Sequence, residues 1–403
     1  MRFASALVLF VCPSFAFAAP WAQVAGGKVD EANAVCVVPV KAGDPAAMNG
    51  VLAVGDKTVV PVQLMHRKTG DALVFVIPKL KAGETLKLEA PIVDLAAQTT
   101  FKFVEDKGHH TDLLYGNRPV LRYINAAHDP KDHFYTFKPF HNVFDPATGK
   151  TLLTSGATKT SKEGLYPHHR GLFFGWNKIT YDGKAADIWH GTNNVFSQHD
   201  KTLHEEAGPA FGRQVSAISW HGKDGQTFVS EERELTAYAV PGGTLIDFAS
   251  TLKTNLAGVK LDGDPQHAGF HFRANQEVAK NGKQNTYYLR PDGKGKPGET
   301  RNWDAKKPDP RTVNLPWNAM SFVTEGKRYT VLRIDHPNNP KESRGSERDY
   351  GRFGDYFEYT VTPDKPLRVK YRVWIQAGEM TVKQCEAMAA AFVHPPAVKL
   401  TAK

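Results

Sequence analysis

Two adjacent imidazoles and a guanidinium sit at the mouth of an aromatic stretch, Tyr166-Pro167-His168-His169-Arg170-Gly171-Leu172-Phe173-Phe174-Gly175-Trp176. Histidine titrates near neutral pH, so it takes and returns a proton without a large pKa shift. Arginine stays charged and can hold a carboxylate or a developing enolate with two parallel hydrogen bonds. The same composition recurs in Ala268-Gly269-Phe270-His271-Phe272-Arg273. His168, His169 and His271 are therefore the acid–base candidates, with Arg170 and Arg273 as charge stabilisers. His336 and Tyr350, in the loops Asp335–Pro340 and Tyr350–Gly354, stand behind them. Trp176, Trp189, His199 and Asn338 are the substrate-binding candidates, since indole faces stack on sugar rings and the others offer hydrogen bonds. Together these residues suit removal of a proton next to a carbonyl or carboxylate, as in lyases and epimerases of sugars.

Most of the 16 histidines lie between His109 and His271. Asp187-Ile188-Trp189-His190-Gly191 and Gln198-His199-Asp200 belong to that concentration. No His-Glu-x-x-His is present, and no helix pairs two ligands at i and i+4. Adjacent histidines in a strand point to opposite faces, so no residue is assigned as a metal ligand. The acid–base reading requires no cofactor. Two alternatives remain open: a glycan-binding protein using the same aromatic cleft, and a metal-dependent oxygenase or hydrolase with histidine ligands to a divalent ion. A nucleophile elbow and phosphate-binding glycine loops are missing, which removes serine-hydrolase and nucleotide chemistry.

The elements that must position these residues read as strands. Pro167 excludes the right-handed helical region for Tyr166, and an extended approach to the strand is expected. Alternation sends Gly171, Phe173 and Gly175 to one face and Leu172, Phe174 and Trp176 to the other. Short runs at Val35–Val40, Thr58–Leu64, Ala72–Ile77 and Thr85–Leu88 are punctuated by turns such as Gly55-Asp56 and Thr69-Gly70-Asp71. Longer alternating runs follow at Phe228–Ala239, Thr244–Lys253, Tyr329–Ile334 and Leu367–Ile375. A hairpin is expected between Tyr356–Val361 and the last of these, and a surface flap over residues 281–318. Thr381 and Gln384 form a capping-box pattern that opens one C-terminal helix. The fold class is mainly β: a small N-terminal β-sandwich (19–106), then a large antiparallel β-sandwich (107–403) that carries the site.

Several of these blocks, with Asp187-Ile188-Trp189, Asp335-His336-Pro337-Asn338-Asn339-Pro340 and the closing Tyr371-Arg372-Val373, resemble a bacterial family of exported proteins. That family is a domain of unknown function, often given the label "methane oxygenase PmoA-like". The resemblance runs from about Val35 to Gly378. It implies a mostly β fold and a setting in carbohydrate breakdown, and it brings no catalytic residue. A membrane oxygenase subunit would need several spanning helices, and no later stretch here is long and apolar enough.

Composition is that of a globular protein, with a formal charge of +9 and no block of five basic residues. Nucleic acid is thus excluded as the partner, and a carbohydrate is expected. Of the three cysteines, Cys12 lies in the N-terminal apolar run, while Cys36 and Cys385 are the only pair able to bridge. Arg2, the run Phe3–Phe17 and Ala16-Phe17-Ala18 form a signal peptide over residues 1–18, so a periplasmic or secreted protein is expected, without an integral membrane segment after cleavage. The mature chain should begin at Ala19. N-terminal sequencing that reads Met1 on the purified protein would overturn the assignment.

Overall fold

The computed structural model describes residues 21–40, 50–54, 58–89, 99–156, 164–264, 266–282 and 284–400. The signal segment and Cys12 lie outside them, as does the Gly55-Asp56 turn. The chain is mainly β, with antiparallel sheets and one helix of length, Val382–Val393. Its Thr381–Gln384 capping box forms as expected. No helix among the described residues is long and apolar enough to cross a membrane.

An eight-stranded and a nine-stranded sheet enclose the main core. The first runs in the order Arg344–Arg348, Arg352–Tyr356, Ala268–Arg273, Leu172–Trp176, Phe140–Val143, Arg118–Ile124, His110–Tyr115, Phe101–Asp106. Its inward side chains include Phe174, Trp176, Phe270 and Phe272, which meet Trp220, Phe248, Phe322 and Tyr371 of the other sheet. Alternation then obliges Phe173, His271 and Arg273 to project from the outer face of the eight-stranded sheet. That face is covered by loops, and it carries the site.

The N-terminal strands form a seven-stranded sheet completed by Ala397–Leu400, which pairs with Ala22–Ala25. One face makes its own core from Ala34, Cys36, Val62 and Phe75. Val35, Val74 and Val76 on the other face pack with Trp374, Tyr238 and the C-terminal helix. Pairing crosses the expected boundary at residue 107 in both directions, because Phe101–Asp106 also joins the eight-stranded sheet. Cys36 and Cys385 are free and buried, each in a different core cluster.

Two expectations need correction. Leu367–Ala377 pairs with Thr244–Lys253 and Lys327–Asp335, not with Tyr359–Val361, which joins Val259–Asp262 in a four-stranded sheet. Sequence proximity favours a hairpin, but two long, fully paired neighbours bury more apolar surface. The stretch 281–318 is also only partly an excursion: Tyr287–Arg290 and Trp317–Asn318 are buried strand residues of the nine-stranded sheet.

Phe270 stacks between Phe248 and Tyr371, with ring centroids 4.4 and 4.7 Å away. Phe270→Ala should lower unfolding stability by about 3–5 kcal/mol in denaturant titrations, the usual cost of emptying an aromatic core position. A loss below about 1 kcal/mol would contradict this packing.

Candidate histidine centre

The floor of the site is a lateral row across three strands, Phe173 opposite His271 and His271 opposite Gly354. A Cβ at position 354 would stand 2.5 Å from His271 Cγ, so glycine makes room for the ring. Arg352 Nη1 donates to His271 Nδ1 at 2.9 Å, and Nε2 lies 2.8 Å from the Ala268 carbonyl oxygen. Arginine can only donate, so Nδ1 accepts and Nε2–H donates to the carbonyl. Burial, then the Arg352 charge, holds His271 well below the usual imidazole range. Its ring nitrogens are both engaged. It supports the layer above it.

That layer begins with a turn. His169 N–H donates to the Tyr166 carbonyl at 3.0 Å, Tyr166 has φ +53°, and the strand starts only at Leu172. The extended approach is therefore replaced by a left-handed residue, a region that the following proline leaves open. Gly171, at φ +51°, completes the passage, since a Cβ there would lie 2.1 Å from the His141 carbonyl oxygen. In a strand the two imidazoles would diverge. In this turn their ring centroids lie 4.2 Å apart.

Two more histidines reach the same place from separate loops. His190 Nδ1 is 2.8 Å from Asp187 Oδ2, and His267 Nδ1 is 2.8 Å from Asp264 Oδ1. A carboxylate accepts, so each Nδ1 carries a proton and each Nε2 is the nitrogen turned away from its aspartate. Burial pushes the Asp264 carboxyl up, but hydrogen bonding to and the charge of His267 outweigh it and leave the group below its ordinary range. The His190 ring lies 4.6 Å from His168 and 4.9 Å from His267.

One ring nitrogen each from His168, His169 and His267 lies within 4.8 Å of the other two. His169 is 1% exposed. Neither of its ring nitrogens has a hydrogen-bond partner, nor does Nε2 of His168. A buried polar atom left unpaired costs about 1–3 kcal/mol, so these convergent nitrogens form a donor set suited to a ligand. Burial, then Lys138 and the neighbouring histidines, drives His168 down to about 2. Burial, then Arg352, holds His169 well below its ordinary value. Both imidazoles are neutral. Tyr350 lies parallel to His169, 6.2 Å between centroids, and Tyr166, 44% exposed, packs on Tyr350 at the mouth.

The family model for the family of unknown function DUF6807 matches residues 110–390. The chain belongs to that family. The matched span holds all four histidines and both aspartates. No curated protein matches the sequence. Among solved structures, this DUF6807 member is similar to a glycosyl hydrolase family 38 protein from Enterococcus faecalis, with 9% identity, a TM-score of 0.41 and 94% of this chain covered. An α-mannosidase from Enterococcus faecalis V583 gives 8% identity and a TM-score of 0.42. The chain spans about half of each, 47% and 46%. A galactose mutarotase related enzyme from Lactobacillus acidophilus gives 10% identity and a TM-score of 0.31, over 70% of this chain and 98% of that one.

The other sequence candidates of the DUF6807 chain fall into three groups. Trp189 joins Phe140 and Phe173 beside the histidines, 5.6 Å from the His169 ring. Arg170 and Arg273 are fully buried beneath them as staples. Arg170 donates to the Phe134, Tyr135 and Pro167 carbonyls, and Arg273 to those of Tyr350 and Leu165. Burial lowers them to about 9 and about 10. An open cleft is the expected setting for such guanidiniums, but carbonyl oxygens and aromatic faces satisfy them instead. Trp176, His199, His336 and Asn338 make no contact with the cluster. Trp176 is in the main core with Nε1–H on the Phe357 carbonyl. His199 contacts Tyr123, His336 packs on Phe392, and Asn338 is exposed beside it.

His267 is not among the sequence candidates, and His190 enters only within a run. The signal available is the repeated Asp-x-x-His of Asp187–His190 and Asp264–His267. With His271 as a support, His271→Ala should cost about 1–3 kcal/mol of stability by stranding Arg352 and opening a cavity. An unchanged thermal midpoint would refute that role.

Proposed function

We propose that the chain is a metal-dependent enzyme in which His168, His169 and His267 hold a divalent transition-metal ion. The observation that carries this is the convergence of three imidazoles, two of them with buried, unpartnered nitrogens. Three histidine ligands plus one open position is a common catalytic arrangement, and imidazole suits zinc, copper, iron or nickel. Asp264 behind His267 supplies the carboxylate–histidine support that such ligands usually have. Metal–nitrogen bonds of about 2.0–2.1 Å require the rings to close in slightly on binding.

The substrate class in this reading is an oxygen-rich molecule with a carbonyl or carboxylate, in keeping with the sugar-directed lyase or epimerase chemistry expected from the sequence. A bound ion would polarise that oxygen and stabilise the charge left when a neighbouring C–H proton departs. His190 is placed to take the proton. Asp187 holds its Nδ1–H, so Nε2 is the basic atom. Tyr166 and Tyr350 offer aromatic faces at the mouth. Metal-free catalysis by His168, His169 and His271 is the weaker reading, because burial disfavours protonating any of them and His271 has no free nitrogen. Export to the periplasm or beyond remains part of the proposal, on the signal segment alone.

Elemental analysis and calorimetric titration test the centre. The expected result is one equivalent of bound metal, abolished in His169→Ala. Asp264→Asn should retain the stoichiometry and weaken affinity about 10–100-fold. Turnover of the substrate should stop with chelator and return with metal. A wild-type protein that takes up none of these four metals at micromolar concentration would overturn the centre.

A further inference from the structure

Behind the histidines lies a cleft of about 730 Å³, lined by Asp262, Asp264, Trp303, Arg344, Arg348 and Glu358 among others. It shares a wall with the centre, because Asp264 faces the cleft and also holds His267. A volume of about 300–1,000 Å³ is that of an ordinary small-molecule site.

Among the described residues, the charges lining this cleft other than Asp304 and Arg348 each have an ionic partner. Asp262 meets Lys260 at 3.1 Å, and Glu358 meets Arg344 at 2.8 Å. Asp264 is taken by His267 and Asn177, and Asp304 accepts from the Lys306 N–H. Arg344 also lies over the Trp303 indole at 4.3 Å, which fixes that ring at the wall. Arg348 is half-buried and has no carboxylate at ion-pair distance among the described residues. Tyr350, whose ring lies parallel to His169, stands close enough to act on its charge. A partly desolvated guanidinium without an anion is costly to keep, and a carboxylate is its best geometric partner. Paired carboxylates still accept hydroxyl hydrogen bonds, and an indole wall suits a sugar face.

We propose that this cleft binds the continuing part of an acidic oligosaccharide, with a uronate carboxylate on Arg348 and a sugar ring against Trp303. This rests on the histidine centre as the reacting end and adds that the substrate is a chain of at least two sugar units. Arg348 acts as a specificity residue.

The test uses the full-length exported protein loaded with zinc. Calorimetry measures binding of tri- to hexasaccharides from pectate, alginate, hyaluronan and glucuronoxylan, matched with neutral ones from starch, cellulose and galactan. At least one acidic set should bind more tightly than every neutral set. Arg348→Met should lose at least tenfold in affinity for that set, with bound zinc unchanged. Trp303→Ala, at a partly exposed position, should weaken binding at an unaltered thermal midpoint. Binding of neutral chains only, of no saccharide, or of acidic chains equally by wild type and R348M would overturn the proposal. Zinc bound at one equivalent without saccharide binding sinks the cleft alone. Arg348-dependent binding of acidic chains without metal uptake sinks the metal centre and leaves the cleft standing.

Discussion

Arg170, Arg273 and Arg352 lie beneath the histidines, and among the described residues none is paired with a carboxylate. Removing a guanidinium from water costs several kcal/mol unless it is hydrogen-bonded. Here backbone carbonyls, Ser346, Tyr350 and His271 take that role. Each bond ties a loop or ring to the sheet: Arg170 secures the segment at Phe134–Tyr135, and Arg273 secures Leu165 and Tyr350. The loops that cover the outer face are thereby held in one arrangement. The same positive charges, added to burial, keep His168, His169 and His271 neutral. A neutral imidazole is a ligand and a base. It is a poor acid.

The carboxylates near the histidines are placed on the far side of the rings. Asp187 and Asp264 bind Nδ1 of His190 and His267, and so fix which nitrogen points inward. If they projected into the cluster instead, they would pair with the guanidiniums and protonate the imidazoles. Separating the two charge signs by one ring width gives a basic interior with oriented lone pairs. Lys138 is buried over Phe173 and Phe137 with Nζ donating to the Trp189 carbonyl, and burial, then the Arg170 charge, pushes its amine well below the ordinary lysine range.

The main core and the histidine cluster occupy opposite faces of the same strands. Phe174, Trp176, Phe270 and Phe272 anchor Leu172–Trp176 and Ala268–Arg273 in the main core, so the outer residues Phe173 and His271 rest on a rigid support. Convergent unpaired nitrogens are tolerable there because the aromatic core, not the site, contributes the bulk of apolar burial.

Alternation in the sequence determined most strands and their inward faces, since period two is a local property that burial on one side enforces. That Leu172, Phe174 and Trp176 share one face, and that a helix starts at Thr381, follow from it directly. The sequence also marked the His168–His169 pair and the 268–273 strand, which lie side by side. Tertiary structure alone decided where those residues lie and what they touch. The turn at Tyr166 depends on hydrogen bonds to distant carbonyls, so two histidines that a strand would separate face one point. Arg170 and Arg273 become staples because loops remote in sequence bring them carbonyl oxygens. Trp176, an attractive sugar platform by type, is core because its neighbour Phe173 took the outer face. His190 and His267 join the centre across 77 residues, and no local period encodes that approach. Only their shared Asp-x-x-His spacing was written in the chain, and its meaning required the fold.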